Sequence, residues 1–67
     1  MEYIERGVTM KVLIFNNERK MWWQPNYFGY TPYQNEAGIY DYEKVQKDYP
    51  DIDFFTQGDD FYVKIGE

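Results

Sequence analysis

Met10-Lys11-Val12-Leu13-Ile14-Phe15-Asn16-Asn17-Glu18-Arg19-Lys20-Met21-Trp22-Trp23-Gln24 is the stretch that decides the fold. From Val8 to Phe15 the chain is rich in β-branched and apolar residues, the composition of a strand. Side chains alternate along a strand, so Met10, Val12 and Ile14 share one face and Lys11, Leu13 and Phe15 the other. Asn16-Asn17-Glu18-Arg19 is a polar turn, and Asn tolerates the positive φ that hairpin turns require. Lys20 to Gln24 returns as the second strand and sends Trp22 and Trp23 to opposite faces. Pro25 ends that strand because it has no N–H for the ladder.

Beyond the hairpin, residues 26–38 read as an ordered loop held by its own aromatic rings. Gly29 and Gly38 stand where unusual backbone angles are expected. Asp41 suits a helix N-cap and Glu43 the first turn, and Tyr42, Val45 and Tyr49 recur on one face. Pro50 limits this helix to about two turns, too short to persist unless it docks on the sheet. Lys44, Lys47 and Asp48 face water. Asp51-Ile52-Asp53-Phe54-Phe55 and Phe61-Tyr62-Val63-Lys64-Ile65 alternate on either side of the turn Gln57-Gly58-Asp59-Asp60. They predict a second hairpin with Phe61, Val63 and Ile65 inward. The expected architecture is ββαββ: an α+β domain with one helix on a small antiparallel sheet of two hairpins and a long aromatic loop. Residues 1–67 form a single domain, with residues 1–7 as a flexible arm. The strong pattern begins near Met10, which offers a second start.

At 67 residues without a cysteine, the chain has no disulfide to stabilise it. Its 22% aromatic content is the means available: each buried ring removes roughly 150–250 Å² from water. No stretch resembles a signal peptide, and the longest aliphatic run, Val12 to Phe15, is far short of the ~20 residues a membrane helix needs. A soluble, cytoplasmic protein is expected. The net charge of −5 is uneven. Residues 1–35 hold three acids and four bases (+1), and residues 36–67 hold nine acids and three bases (−6).

That balance argues against nucleic acid as a partner, since such binding relies on Lys and Arg neutralising phosphates. Catalysis is not expected either. His, Cys and Ser are all absent, which removes the usual nucleophile–base pairs. The carboxylate pairs Asp51/Asp53 and Asp59/Asp60 are better read as a solvated edge and a turn. No EF-hand spacing is present, so no metal or cofactor is expected.

Met21-Trp22-Trp23-Gln24-Pro25-Asn26-Tyr27-Phe28-Gly29-Tyr30-Thr31-Pro32-Tyr33 concentrates both tryptophans and four other rings in thirteen residues. The plain interpretation is that one tryptophan fills the core and the other covers the loop. Eight tyrosines nevertheless exceed what so small a core can hide, and aromatic residues dominate interface hot spots. Trp23, Tyr27, Phe28, Tyr30 and Tyr33 are therefore the expected apolar anchors for a partner. Asp51, Asp53, Asp59 and Asp60 form the expected charged flank. An acidic face that also includes Glu43 and Asp48 has the charge to imitate nucleic acid, although a net charge of this size also simply keeps a small domain soluble.

At Trp22-Trp23, Pro25-Asn26, Gly29-Tyr30-Thr31, Glu36 and Ala37-Gly38-Ile39-Tyr40, the chain resembles a group of very small phage and prophage proteins. Their pattern is a short strand, a paired Trp, Pro-Asn, Gly-Tyr-Thr, an acidic spacer, and Ala-Gly-x-Tyr before a short helix. The resemblance covers roughly residues 10–48 and leaves out the arm and the C-terminal hairpin. It implies a viral origin and assigns no reaction, cofactor or catalytic residue. Tyr27-Phe28 departs from the pattern, filling positions expected to be small or polar. The resulting expectation is a small non-enzymatic protein, acting in the host cytoplasm, that binds and inhibits a host or viral protein. Two alternatives come from other classes. One is a single-stranded nucleic-acid binder stacking bases on Trp22 or Trp23. The other is a structural protein, such as a homodimer, that pairs with a second copy through the loop or the last strand.

Overall fold

A computed structural model describes residues 10–65; the expected arm over residues 1–7, and Val8 and Thr9 of the first strand, lie outside the described residues. The elements are β1 (Lys11–Asn16), β2 (Met21–Trp23), β3 (Tyr30–Thr31), β4 (Tyr40–Asp41), α1 (Tyr42–Asp48) and β5 (Asp60–Lys64). They make one antiparallel sheet with a single helix, the α+β class that the hydrophobic pattern predicts.

β1 is the axis. Phe15 pairs with both Trp22 and Phe61, and Val12 with both Tyr40 and Lys64. One edge of β1 is therefore covered by β5 along residues 12–16, and the other is shared by β2 near its end and β4 near its start. β3 extends the sheet beyond β2 through Trp22–Thr31 and Trp23–Tyr30 pairs. The β1–β2 hairpin forms as expected, but Lys20 takes the positive φ (59°), not an asparagine. The Asn16 side-chain oxygen instead accepts from Arg19 N–H at 2.7 Å, and its backbone oxygen accepts from Lys20 N–H at 2.8 Å.

Side-chain alternation then separates two apolar faces. Val12, Ile14, Tyr40, Val45, Ile52 and Tyr62 form the core, with Met10, Trp23 and Tyr42 packed against it. Val12, Ile14 and Val45 are fully buried, each contributing about 1.5–3 kcal/mol of apolar transfer. On the opposite face Phe15 meets Trp22 edge-on at 4.8 Å and Phe61 at 5.6 Å. The two tryptophans do lie on opposite faces, and both are half-buried.

The C-terminal part departs from expectation. Residues 51–55 do not pair as a strand; they supply one parallel bridge, Asp53 to Phe61. The Asp53 carboxylate accepts the Phe55 N–H at 2.8 Å and turns the chain there. β5 pairs with distant β1 instead, gaining five residue pairs along the axis of the sheet. This register points Tyr62 into the core (2% exposed) and turns Phe61 and Val63 to the other face, the reverse of the predicted inward set. At α1, Asp41 occupies the N-cap position without a side-chain cap bond. Its carboxylate pairs with Lys11 across the β1–β4 ladder. Lys44, Lys47 and Asp48 are exposed, and the helix ends before Pro50 as expected. Among the described residues no helix is long and apolar enough to cross a membrane.

Burial, with smaller contributions from Tyr42, Tyr27 and Asp53, pushes the Tyr62 phenol up to about 12 from its ordinary 10.0. The folded state therefore favours the neutral phenol. Its stabilising contribution is complete below pH 10 and is lost as pH rises through 12. Denaturant midpoints measured across that window should fall, with Tyr62 accounting for roughly 2–3 kcal/mol. Tyr62→Phe should flatten the fall; an unchanged slope in the variant would contradict this assignment.

Candidate binding site

The site begins with how the chain leaves β2. Gln24 N–H donates to Gly29 O at 2.8 Å, and Phe28 N–H to Pro25 O at 3.2 Å, closing a tight loop around Pro25–Tyr27. Gln24 Nε2 adds a bond to Tyr30 O at 2.8 Å. Asn26 and Tyr27 both have φ of 60°, and Gly29 has 93°. Glycine tolerates such angles, and asparagine does so better than most residues. For a bulky aromatic such as Tyr27 the conformation is a genuine outlier, costing on the order of 1–3 kcal/mol.

Tyr40 opposes that cost. Its ring is 8% exposed in the core, while its hydroxyl accepts the Tyr27 N–H at 3.1 Å and donates to the Gln24 carbonyl. The Tyr27 ring lies 5.3 Å from that of Tyr40 and 5.7 Å from that of Tyr49. Gly29 meets the expectation of an unusual backbone angle. Gly38 does not have positive φ; its requirement is close approach. A Cβ there would fall 2.7 Å from Pro25 Cα and 2.8 Å from a Tyr40 ring carbon. Gly38 N–H also donates to Trp23 O at 2.8 Å, seating the loop's return against β2.

The turn holds Phe28 out in solvent at 78% exposure. Tyr33 and Tyr27 are exposed, and Tyr30 is half-buried with the Arg19 guanidinium 4.8 Å over its ring. Trp23 stands edge-on to Tyr49 at 5.5 Å and to Tyr27 at 6.1 Å. Together with Gly29 and Tyr30 these rings line an open cleft of about 370 Å³. Burial and the neighbouring Asp48 carboxylate hold the Tyr27 phenol above its ordinary value. Trp23 Nε1–H donates to the Asp60 carboxylate at 3.0 Å, and the same oxygen accepts from Asn16 Nδ2 at 2.7 Å.

The four expected acids lie together. Asp51, Asp53, Asp59 and Asp60 line a second cleft of about 350 Å³ with Ile52, Phe55 and Gly58. Asp51 and Asp59 are exposed. Asp60 is tied to Trp23 and Asn16, and Asp53 to the Phe55 amide, so those two carboxylates also hold structure. Among the described residues no three His, Cys, Asp or Glu side chains converge as a metal site would require.

Three contributors escaped the sequence reading. Tyr49 was expected only as part of the helix face docked on the sheet; it instead follows the last helical residue, is exposed, and packs against Trp23 and Tyr27. Tyr40 acts through its hydroxyl, which residue type alone does not reveal. The third is the outer sheet face, where Phe15, Trp22 and Phe61 pack together and a separate groove of about 470 Å³ is lined by Leu13, Gln34, Asn35, Ala37, Ile39 and Ile65. Its signal was that β1 and β5 are apolar on both faces.

Tyr40→Phe keeps the ring but strands the Tyr27 N–H and the Gln24 carbonyl. It should cost about 1–3 kcal/mol and accelerate amide exchange at Tyr27. A neutral substitution with unchanged exchange would remove the latch role. Comparison of the chain with protein-family models, curated proteins and solved structures finds no match.

Proposed function

We propose that this is a non-enzymatic binding protein that engages another protein through the Phe28 turn and the rings beside it. One observation carries the reading: a turn with a left-handed tyrosine, fastened to the core by Tyr40, holds a phenylalanine 78% exposed. Folding alone gives no reason to hold an apolar ring in water on a strained backbone, and strain of this kind clusters at ligand clamps. A fixed, exposed aromatic on a loop that also carries exposed Tyr27 and half-buried Tyr30 is the arrangement of an interface anchor.

The remaining features support the same reading. The chain lacks the residue types of the common nucleophile–base pairs. The acids at 51, 53, 59 and 60 lie on one side, where they would steer a basic partner. The likeness to small phage proteins supplies the setting we favour: a viral product that binds a host or viral protein in the host cytoplasm and inhibits it. Trp22 and Trp23 are each half-buried on separate faces, an arrangement that favours a protein partner over a run of stacked bases.

Phe28→Ala is the direct test. Phe28 is exposed, so the variant should keep its unfolding midpoint within about 0.5 kcal/mol of the parent. Affinity for a partner identified with the parent protein should drop by at least about tenfold, the usual loss at a hot spot. Equal partner affinity in a folded Phe28→Ala variant would refute the assignment.

A further inference from the structure

We infer that the cleft bounded by Trp23, Tyr27 and Tyr49 receives an arginine side chain from a basic segment of the partner. This inference rests on the binding reading above and adds the partner's chemistry. Three rings meet there at mutual centroid distances of 5.5, 5.7 and 6.1 Å, and Tyr27 and Tyr49 are 40% and 43% exposed. A purely apolar cleft would suit a leucine or phenylalanine anchor. Here the lining carries no carboxylate of its own, but Asp60 stands behind the Trp23 wall on the indole N–H and Asp48 beside the Tyr27 hydroxyl.

Asp60 accepts the indole proton of Trp23 at 3.0 Å, and the Asp48 carboxylate is close enough to the Tyr27 hydroxyl to raise its pKa. A carboxylate drawing on an indole N–H polarises the ring and enriches its face in electrons. That strengthens attraction for a cation over the ring. The carboxylates also add direct Coulomb attraction, in a half of the chain that carries nine acids against three bases. Lys11 and Lys44 line a neighbouring cleft that shares Tyr27, and the cation against this cleft's own lining is Arg19, whose guanidinium lies 4.8 Å over Tyr30. It occupies that wall and leaves Trp23, Tyr27 and Tyr49 to the incoming group. It also shows that this surface already accommodates a guanidinium on a ring. Arginine fits better than lysine because its weakly hydrated plane stacks on aromatic rings.

The test titrates the whole chain with three capped tripeptides, Gly-Arg-Gly, Gly-citrulline-Gly and Gly-Leu-Gly, and follows the Trp23 indole N–H resonance. The arginine peptide should shift it saturably, binding about three- to tenfold tighter than the neutral citrulline isostere, and added salt should weaken the binding. Asp48→Asn should reduce the preference for arginine and Tyr49→Leu should remove binding. Citrulline or leucine binding as well as arginine, or the absence of a saturable shift with arginine, would overturn the inference. If the arginine peptide fails while Phe28→Ala still abolishes partner capture, the cleft assignment falls and the binding reading stands. If arginine binds while Phe28→Ala captures the partner normally, the reverse holds.

Discussion

The hydroxyl of Tyr40 joins the two halves of this molecule. Its ring belongs to the core with Val12, Ile14, Val45, Ile52 and Tyr62, and its oxygen bonds to both Gln24 and Tyr27. Because the ring is fixed by packing, the oxygen is a fixed point, and a tight turn can be fastened to it at little further cost in entropy. Without that point the left-handed Tyr27 loses its backbone hydrogen-bond partner and keeps only its ring contacts to Trp23, Tyr40 and Tyr49. Gly38 is part of the same arrangement: its missing side chain lets Pro25 and the Tyr40 ring close to contact.

A second constraint explains why so many rings remain outside. α1 is seven residues long and buries one residue completely, Val45, so it covers only the Val12–Ile14–Tyr62 face of the sheet. β1 and β5 are nonetheless apolar on both sides, and Phe15, Trp22 and Phe61 pack among themselves on the face opposite α1. A small domain stabilised by aromatic packing thus carries unusually large ring area near its surface, and some of it can serve binding without destabilising the core. Asp60 connects the sheet to the loop rings, since the carboxylate oxygen that accepts from Asn16 also accepts a hydrogen bond from the Trp23 indole N–H.

What was legible in the sequence was local. The first hairpin, the opposite facing of Trp22 and Trp23, the two-turn helix stopped by Pro50 and the special angle at Gly29 each follow from a few neighbouring residues. What was not legible depended on distant partners. Phe61-Tyr62-Val63 alternates equally well in either orientation, and only pairing with β1, more than forty residues away, selects Tyr62 as the buried member. Asp41 and Asp60 likewise look like local turn and cap residues, but they bond across the sheet to Lys11 and Trp23. At the candidate site, the exposure of Phe28 and Tyr33 matched expectation. Tyr49 and the Tyr40 hydroxyl entered only through tertiary packing.

On the binding reading proposed above, these features are those of an element set before its partner arrives, with ring geometry and backbone bonds already in place. Preorganisation of that kind lowers the entropy lost on association, which is what makes an exposed phenylalanine useful as an anchor. Backbone ¹⁵N relaxation of the free protein across residues 24–31 tests this most directly. The account predicts order parameters of about 0.85, equal to those of β1. Values below about 0.6 around Tyr27 and Phe28 would show a loop that is ordered only on contact, and the claim of a preset anchor would fail.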